Sequence, residues 1–186
     1  MKYKFYIVEL CISINKSNVF VIWVESEGDD FFLLDNEGYI LAFDSLENVK
    51  NFINKSNQKD YPLIESEFIA YKQLFSNEVT YYSFPEIEKV LSRNKNINEI
   101  GENDTKMLID GYNFISDYFY QIKDEEYLLL RKNQNIEMFF DYSYYKYFWK
   151  KGKEWIELKK KLKSFDYAKF VEIFKDMIDV FVKGIK

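Results

Sequence analysis

The chain has 186 residues, 47% hydrophobic and 20% aromatic, with 26 basic and 31 acidic side chains, one cysteine and no histidine. A chain of this length buries roughly 70% of its unfolded surface in one domain, and this hydrophobic content excludes disorder. No apolar run reaches the roughly 18–20 residues of a membrane-spanning helix. The lone Cys11 excludes an internal disulfide, and the lack of histidine removes Ser-His-Asp, Cys-His and histidine–zinc chemistry.

The opening stretch, MKYKFYIVELCISIN, turns apolar after two lysines. Glu9 interrupts it and no small-residue cleavage site follows, so it reads as a strand over residues 4–14 and not as a signal peptide. Cys11 in this run reads as a small buried hydrophobe. Lys16-Ser17-Asn18 is a turn. Residues 19–24 form a second strand, apolar almost throughout, as expected where both faces are covered. Ser26-Glu27-Gly28-Asp29 is turn chemistry, with Gly28 free to take a positive φ. Residues 31–34 make a third strand, Asp35-Asn36-Glu37-Gly38 a second turn and residues 39–43 a fourth strand. Asp44 or Ser45 then caps a helix to about residue 54, with Leu46, Val49, Phe52 and Ile53 on its apolar side. The first third is thus a small antiparallel sheet closed by a helix.

Residues 54–60 read as a loop, and residues 64–82 and 124–148 fit either strand or helix. Ser83-Phe84-Pro85 marks a helix start, with the helix ending near Arg93. From Asn103 the period becomes helical: Leu108, Tyr112, Ile115, Phe119 and Ile122 share a face, flanked by Met107, Phe114 and Tyr118. Only Lys106, Asp110, Asn113 and Asp117 form a polar stripe, so this is the central helix, and Gly111 marks a close helix contact. Trp155, Leu158 and Leu162 edge the penultimate helix. Phe170, Phe174, Met177, Ile178 and Phe181 form one face of the last. The expected fold is a single α+β domain spanning residues 1–186, an N-terminal antiparallel sheet with one helix packed on a mostly helical C-terminal half.

Charge carries most of the functional reading. Residues 17–49 hold eight carboxylates (Glu25, Glu27, Asp29, Asp30, Asp35, Glu37, Asp44, Glu47) and no lysine or arginine. An acidic surface steers basic partners and repels nucleic acid. Glu27, Asp29 and Asp30 are oxygen ligands suited to a hard cation, but their spacing lacks the alternation of a calcium loop, so neither a metal nor another cofactor is assigned. Asp110, Asn113 and Asp117 read as a solvated stripe in preference to ligands. No phosphate-cradling glycine motif occurs. Residues 138–153, MFFDYSYYKYFWKKGK, mix eight aromatics with four lysines. That pattern suits stacking on single-stranded nucleic acid or, more simply, a core with snorkelling lysines.

The segment Phe31-Phe32-Leu33-Leu34-Asp35-Asn36-Glu37-Gly38-Tyr39-Ile40-Leu41-Ala42-Phe43-Asp44-Ser45-Leu46-Glu47 resembles a block of the immunity proteins of bacterial contact-dependent growth inhibition systems. In that block a strand, a D-x-x-G turn, a second strand and an S-L-E helix start follow one another. Ile109-Asp110-Gly111-Tyr112-Asn113-Phe114-Ile115-Ser116-Asp117 resembles a second block, in which tryptophan is expected where Tyr112 stands. The resemblance implies a non-enzymatic cytoplasmic protein that binds the C-terminal toxin domain of its own system, a basic nuclease, and occludes its active site or substrate groove. The expected partner is that toxin domain, and not nucleic acid, a membrane or a small-molecule substrate. No catalytic residue carries over. The expected toxin-binding residues are Trp23, Glu25, Glu27, Asp29, Asp30, Asp35, Glu37 and Tyr39. The alternatives are a single-stranded nucleic-acid-binding module using residues 138–153 and, third, a carboxylate-dependent metal hydrolase.

Overall fold

A computed structural model describes residues 4–55, 79–149 and 152–186. Its strands are β1 (Lys4–Cys11), β2 (Val19–Glu25), β3 (Phe31–Phe32), β4 (Ala42–Phe43) and β5 (Val79–Ser83). Its α-helices are α1 (Leu46–Lys55), α2 (Phe84–Arg93), α3 (Glu102–Ile122), α4 (Glu125–Arg131), α5 (Gln134–Ser143), α6 (Lys153–Lys161) and α7 (Tyr167–Lys183). The expected class holds: an N-terminal sheet with one helix precedes a mostly helical half. The sheet is mixed, however, not purely antiparallel. β5 lies parallel to β1, with Ile7 opposite Val79, and β1 pairs antiparallel with β2, with Tyr6 opposite Trp23. The undecided residues 79–82 are therefore strand and 124–148 are mostly helix, while 56–78 lie outside the described residues. Among the described residues no helix is long and apolar enough to cross a membrane.

The third and fourth strands differ from a simple meander. Both β3 and β4 run antiparallel to β2, Phe32 opposite Trp23 and Ala42 opposite Val21. They are two pieces of one edge strand, interrupted by a small hairpin in which Leu34 bridges Ile40. Asp35 closes that hairpin by accepting from the backbone N–H of Glu37 (2.8 Å) and Tyr39 (2.9 Å). Gly38 takes φ +91°, which the turn requires. Gly28 does not adopt a positive φ: Ser26 shapes its turn instead, accepting from Gly28 N–H and donating to the Asp29 carbonyl.

Both sheet faces are covered, as the continuous apolar run of β2 requires. Phe5, Ile7, Ile22, Val24 and Leu33 meet Val49 and Ile53 of α1 on one face. Val8, Leu10, Val21 and Phe32 join the helical half on the other. α1 begins at Ser45, whose Oγ accepts from Asn48 N–H at 3.2 Å. α2 begins at Ser83, whose Oγ accepts from Glu86 N–H, with Pro85 in its first turn. α3 is buried along most of its length. Its Gly111 faces Ile87 of α2, which a Cβ would approach to 2.5 Å, so this glycine marks the expected helix contact. Cys11 is half-buried and not sealed in the core.

Two devices close the sheet edge. The Gln121 side chain of α3 accepts from Phe32 N–H at 3.0 Å and donates to Phe32 C=O at 2.9 Å, standing in for a neighbouring strand. Gly184 and Lys186 accept from the N–H groups of Ile40 (2.7 Å) and Ala42 (2.9 Å), so residues after α7 add a short parallel bridge. Gly184 lies so near Tyr118 that a Cβ would come within 2.5–2.7 Å of its ring and hydroxyl.

Gln121→Met keeps the volume but strands both polar groups of Phe32. Loss of about 1–3 kcal/mol is expected in urea unfolding at an unchanged m-value. Gly184→Ala forces Tyr118 off the chain end, with an expected loss of about 1–3 kcal/mol by the same measurement. The smaller effect is expected for Gly111→Ala, because a flexible methyl of Ile87 gives way and the helix gains propensity.

Candidate functional site

The eight sequence-derived residues fall into three places. Glu27 and Asp29 sit exposed on the β2–β3 turn. Asp35, Glu37 and Tyr39 sit on the small hairpin, and Trp23, Glu25 and Asp30 belong to β2 and the residue just before β3. Several are not free charges. Glu25 accepts from Tyr6 Oη at 2.7 Å and Lys4 Nζ at 3.0 Å, and these bonds lower its pKa below the usual carboxylate range. Asp35 is also lowered, first by the Tyr39 N–H. Glu37 pairs with Lys186 at 2.6 Å, and the same ammonium lies 3.5 Å from the centre of the Tyr39 ring. The lysine-free segment thus borrows two lysines from outside it.

Trp23 and Asp30 open onto a cleft of about 390 Å³ between the sheet and α3, which contributes Asp110 and Asp117. Trp23 and Asp117 meet directly: the indole Nε1–H donates to Asp117 Oδ2 at 3.0 Å. Asp117 is half-buried and not a solvated position, which corrects the reading of its stripe; Asp110 and Asn113 are exposed, as expected. Desolvation pushes the Asp117 carboxyl up to about 7, opposed by the indole bond and aided by the negative charges of Asp30 and Asp29. Desolvation also raises Asp110. Tyr82, stacked on Phe114 at 4.6 Å, forms another wall, and burial raises its phenol to about 12. Arg131 enters from α4: its Nε donates to Tyr112 Oη at 2.9 Å, and its guanidinium lies 4.8 Å from the centre of the Tyr120 ring. Beyond Arg131 a second cleft of about 590 Å³ continues over α5, lined by Lys132, Phe140 and Tyr144.

Sequence reasoning picked Trp23 and Asp30, and it placed Asp110 and Asp117 on one helical face. It missed Tyr82, Tyr120 and Arg131. Their only sequence signal was polar–aromatic composition in segments whose state was undecided, or a single position on α3.

In residues 138–153, Met138, Phe139 and Tyr142 are buried. Lys146 is tied to the carbonyls of Asn98 and Ile100, each at 3.5 Å. Phe148 and Trp149 are exposed, Trp149 stacking on Tyr144 at 4.9 Å. Among the described residues no group of three or more Cys, Asp or Glu side chains is arranged to hold a metal ion.

No family model matches the chain, and no curated protein matches it. Among solved structures it is similar to the C-terminal domain of SatS, from a crystal structure in complex with bromine. The TM-score is 0.64 and the identity 11%, over 98% of this chain and 92% of that one. That likeness is one of fold.

Asp117 makes stability depend on pH. Its folded pKa of about 7 lies above the unfolded value of about 3.9. Its stabilising contribution is therefore complete below pH 4 and lost as pH rises to 7. Asp117→Asn keeps an acceptor for the indole and carries no charge. The variant is expected to gain on the wild type between pH 4 and 7, levelling above 7 at on the order of 1–3 kcal/mol after discounting for partial exposure. Chemical denaturation at several pH values measures this.

Proposed function

We propose that this protein is a non-enzymatic inhibitor that acts in the cytoplasm, binding a basic toxin nuclease domain and occluding its active site or substrate groove. The observation that carries the reading is the convergence of Trp23 and Asp30 from the sheet with Asp110 and Asp117 from α3 around one cleft. Beside it the turn residues Glu27 and Asp29 are exposed. A rigid acidic surface with an aromatic centre has the composition of a hot spot surrounded by steering charges. Of the two sequence blocks that resemble contact-dependent growth inhibition immunity proteins, the second supplies Asp110 and Asp117 to this surface, and the first carries the separate hairpin. A nuclease surface built for phosphates would meet in it an imitation of the nucleic-acid backbone. The SatS likeness supports the fold and is neutral on this function.

The exposed Trp149, stacked on Tyr144, favours a second reading, binding of single-stranded nucleic acid. Against it stand the buried aromatics of the same segment and the acidic balance of the chain.

Charge reversal of Glu27 and Asp29 separates the readings. Against a basic toxin nuclease domain of a contact-dependent growth inhibition system, the Glu27→Lys/Asp29→Lys variant is expected to associate roughly ten-fold more slowly at low salt, with a shallower salt dependence. Stopped-flow association measures both. Unchanged kinetics would remove these turns from the interface. Absence of wild-type binding, together with retention of a single-stranded oligonucleotide that Trp149→Ala abolishes, would replace the inhibitor reading by the second.

A further inference from the structure

We infer that the cleft between β2 and α3 receives an arginine side chain presented by the protein partner. This deepens the inhibitor reading and rests on it, because it names the chemistry that the partner must bring.

The first ground is the combination of shape and wall chemistry. The cleft, about 390 Å³, is lined by aromatic rings as well as carboxylates: Trp23, Tyr82 and Tyr120 with Asp30, Asp110 and Asp117. A guanidinium is planar, weakly hydrated and able to stack on aromatic faces while its N–H fork bonds carboxylates. An ammonium satisfies the charge but not the stacking.

The second ground is that the carboxylates retain acceptor capacity. Asp117 receives the indole N–H on Oδ2 and Asp30 receives Ser26 N–H on Oδ1. Among the described residues Asp110 accepts no hydrogen bond, and the only cation on the cleft wall is Arg131.

The third ground is Arg131 itself. Its guanidinium already lies over the Tyr120 ring, with Nε bonded to Tyr112 Oη, so one wall of the cleft shows the stacked arrangement in an internal residue. Arg131 is held by those two contacts, and Trp23 lines the same cleft. Charge complementarity decides the sign of the occupant, since Asp30, Asp110 and a part-protonated Asp117 outnumber Arg131 on the wall, with Lys106 acting on Asp110 from outside it. A partly desolvated carboxylate such as Asp117 is held in its charged form by an approaching cation, so binding takes up the energetic cost of its burial.

The test uses the full chain and capped pentapeptides Gly-Gly-X-Gly-Gly, in which X is arginine, lysine or citrulline, the neutral isostere of arginine. The readout is the indole N–H resonance of Trp23 in nitrogen-15 NMR, identified by its loss in Trp23→Phe, with Trp149 as internal control. The arginine peptide is expected to move the Trp23 signal before that of Trp149, and citrulline to leave it in place. Asp110→Asn and Asp117→Asn are each expected to weaken the apparent affinity about ten-fold. Unshifted Trp149 and Trp155 signals in the free variants verify their folding. An equal response to citrulline, or movement of Trp149 first, overturns the inference. An equal or stronger response to lysine overturns the choice of arginine. In parallel, the two variants are titrated against the toxin domain. Toxin binding that is strong in the wild type and unchanged in both variants sinks the cleft inference alone. Arginine-peptide recognition without toxin binding sinks the inhibitor reading alone.

Discussion

Four aromatic rings hold the two halves of the molecule together. Phe32 of β3 meets Phe114 of α3 at 4.7 Å, and Phe181 of α7 lies 5.8 Å from Phe32 and 5.7 Å from Phe114. Tyr118, one turn beyond Phe114, lies 5.7 Å from Phe181. Each fully buried ring of this size contributes roughly 1.5–3 kcal/mol by leaving water, and edge-to-face pairs add about 0.5–1.5 kcal/mol. What makes the junction decisive is its address. It ties the edge of the sheet to the central helix and the last helix at one point. Gln121 then bonds both backbone groups of Phe32, which fixes the register of α3 along that edge. Asp117 lies between Phe114 and Gln121 on the same helix, so its meeting with Trp23 follows from that register.

The same junction governs the acidic hairpin. Residues 33–41 leave the edge strand and return to it, and a bare excursion of that kind would expose backbone N–H and C=O groups. Here residues 184–186 supply the missing partners, because α7 ends beside Ile40. Lys186 then covers Glu37 and Tyr39. Stiffness and partial neutralisation come from one contact. The hairpin is held in shape, yet less of its charge faces outward than its composition suggests. The exposed turn after β2 and the cleft beside it carry more of the unscreened field.

How much of this was legible depended on sequence distance. The faces of α3 and α7 are periodic over many turns, and their buried residues match that period. The caps at Ser45 and Ser83 are local chemistry and were readable as such. The D-x-x-G turn was also read correctly, since Leu34 does bridge Ile40. What flanks it was not, because β3 and β4 both choose β2 as partner, a decision made by the sheet and not by the turn. β5 was ambiguous for a similar reason: VTYYS runs directly into a proline-started helix, and its partner β1 lies far upstream. The lysine-free run was a true statement about residues 17–49, but Lys4 and Lys186 reach it from both ends of the chain. Asp110, Asn113 and Asp117 were correctly placed on one face. That Asp117 alone would be half-covered could not be read from spacing, since its cover, Trp23, is 94 residues away.

The cleft shows why stiffness and charge belong together here. A carboxylate on a mobile loop stays hydrated and interacts weakly with any cation, because both ions keep their water. A carboxylate held against an indole has already lost part of its hydration during folding, and the desolvation of Asp117 records that cost. An arriving cation then meets a group that gains more from pairing than a solvated one would. The aromatic junction that holds α3 against the sheet lies on the same helix as Asp117 and keeps it against Trp23. A partner that brought only apolar surface would bury these carboxylates further without compensating them. Under the proposed inhibitor reading a basic partner compensates these carboxylates and a neutral one does not, and the register of α3 against the sheet sets where the two meet.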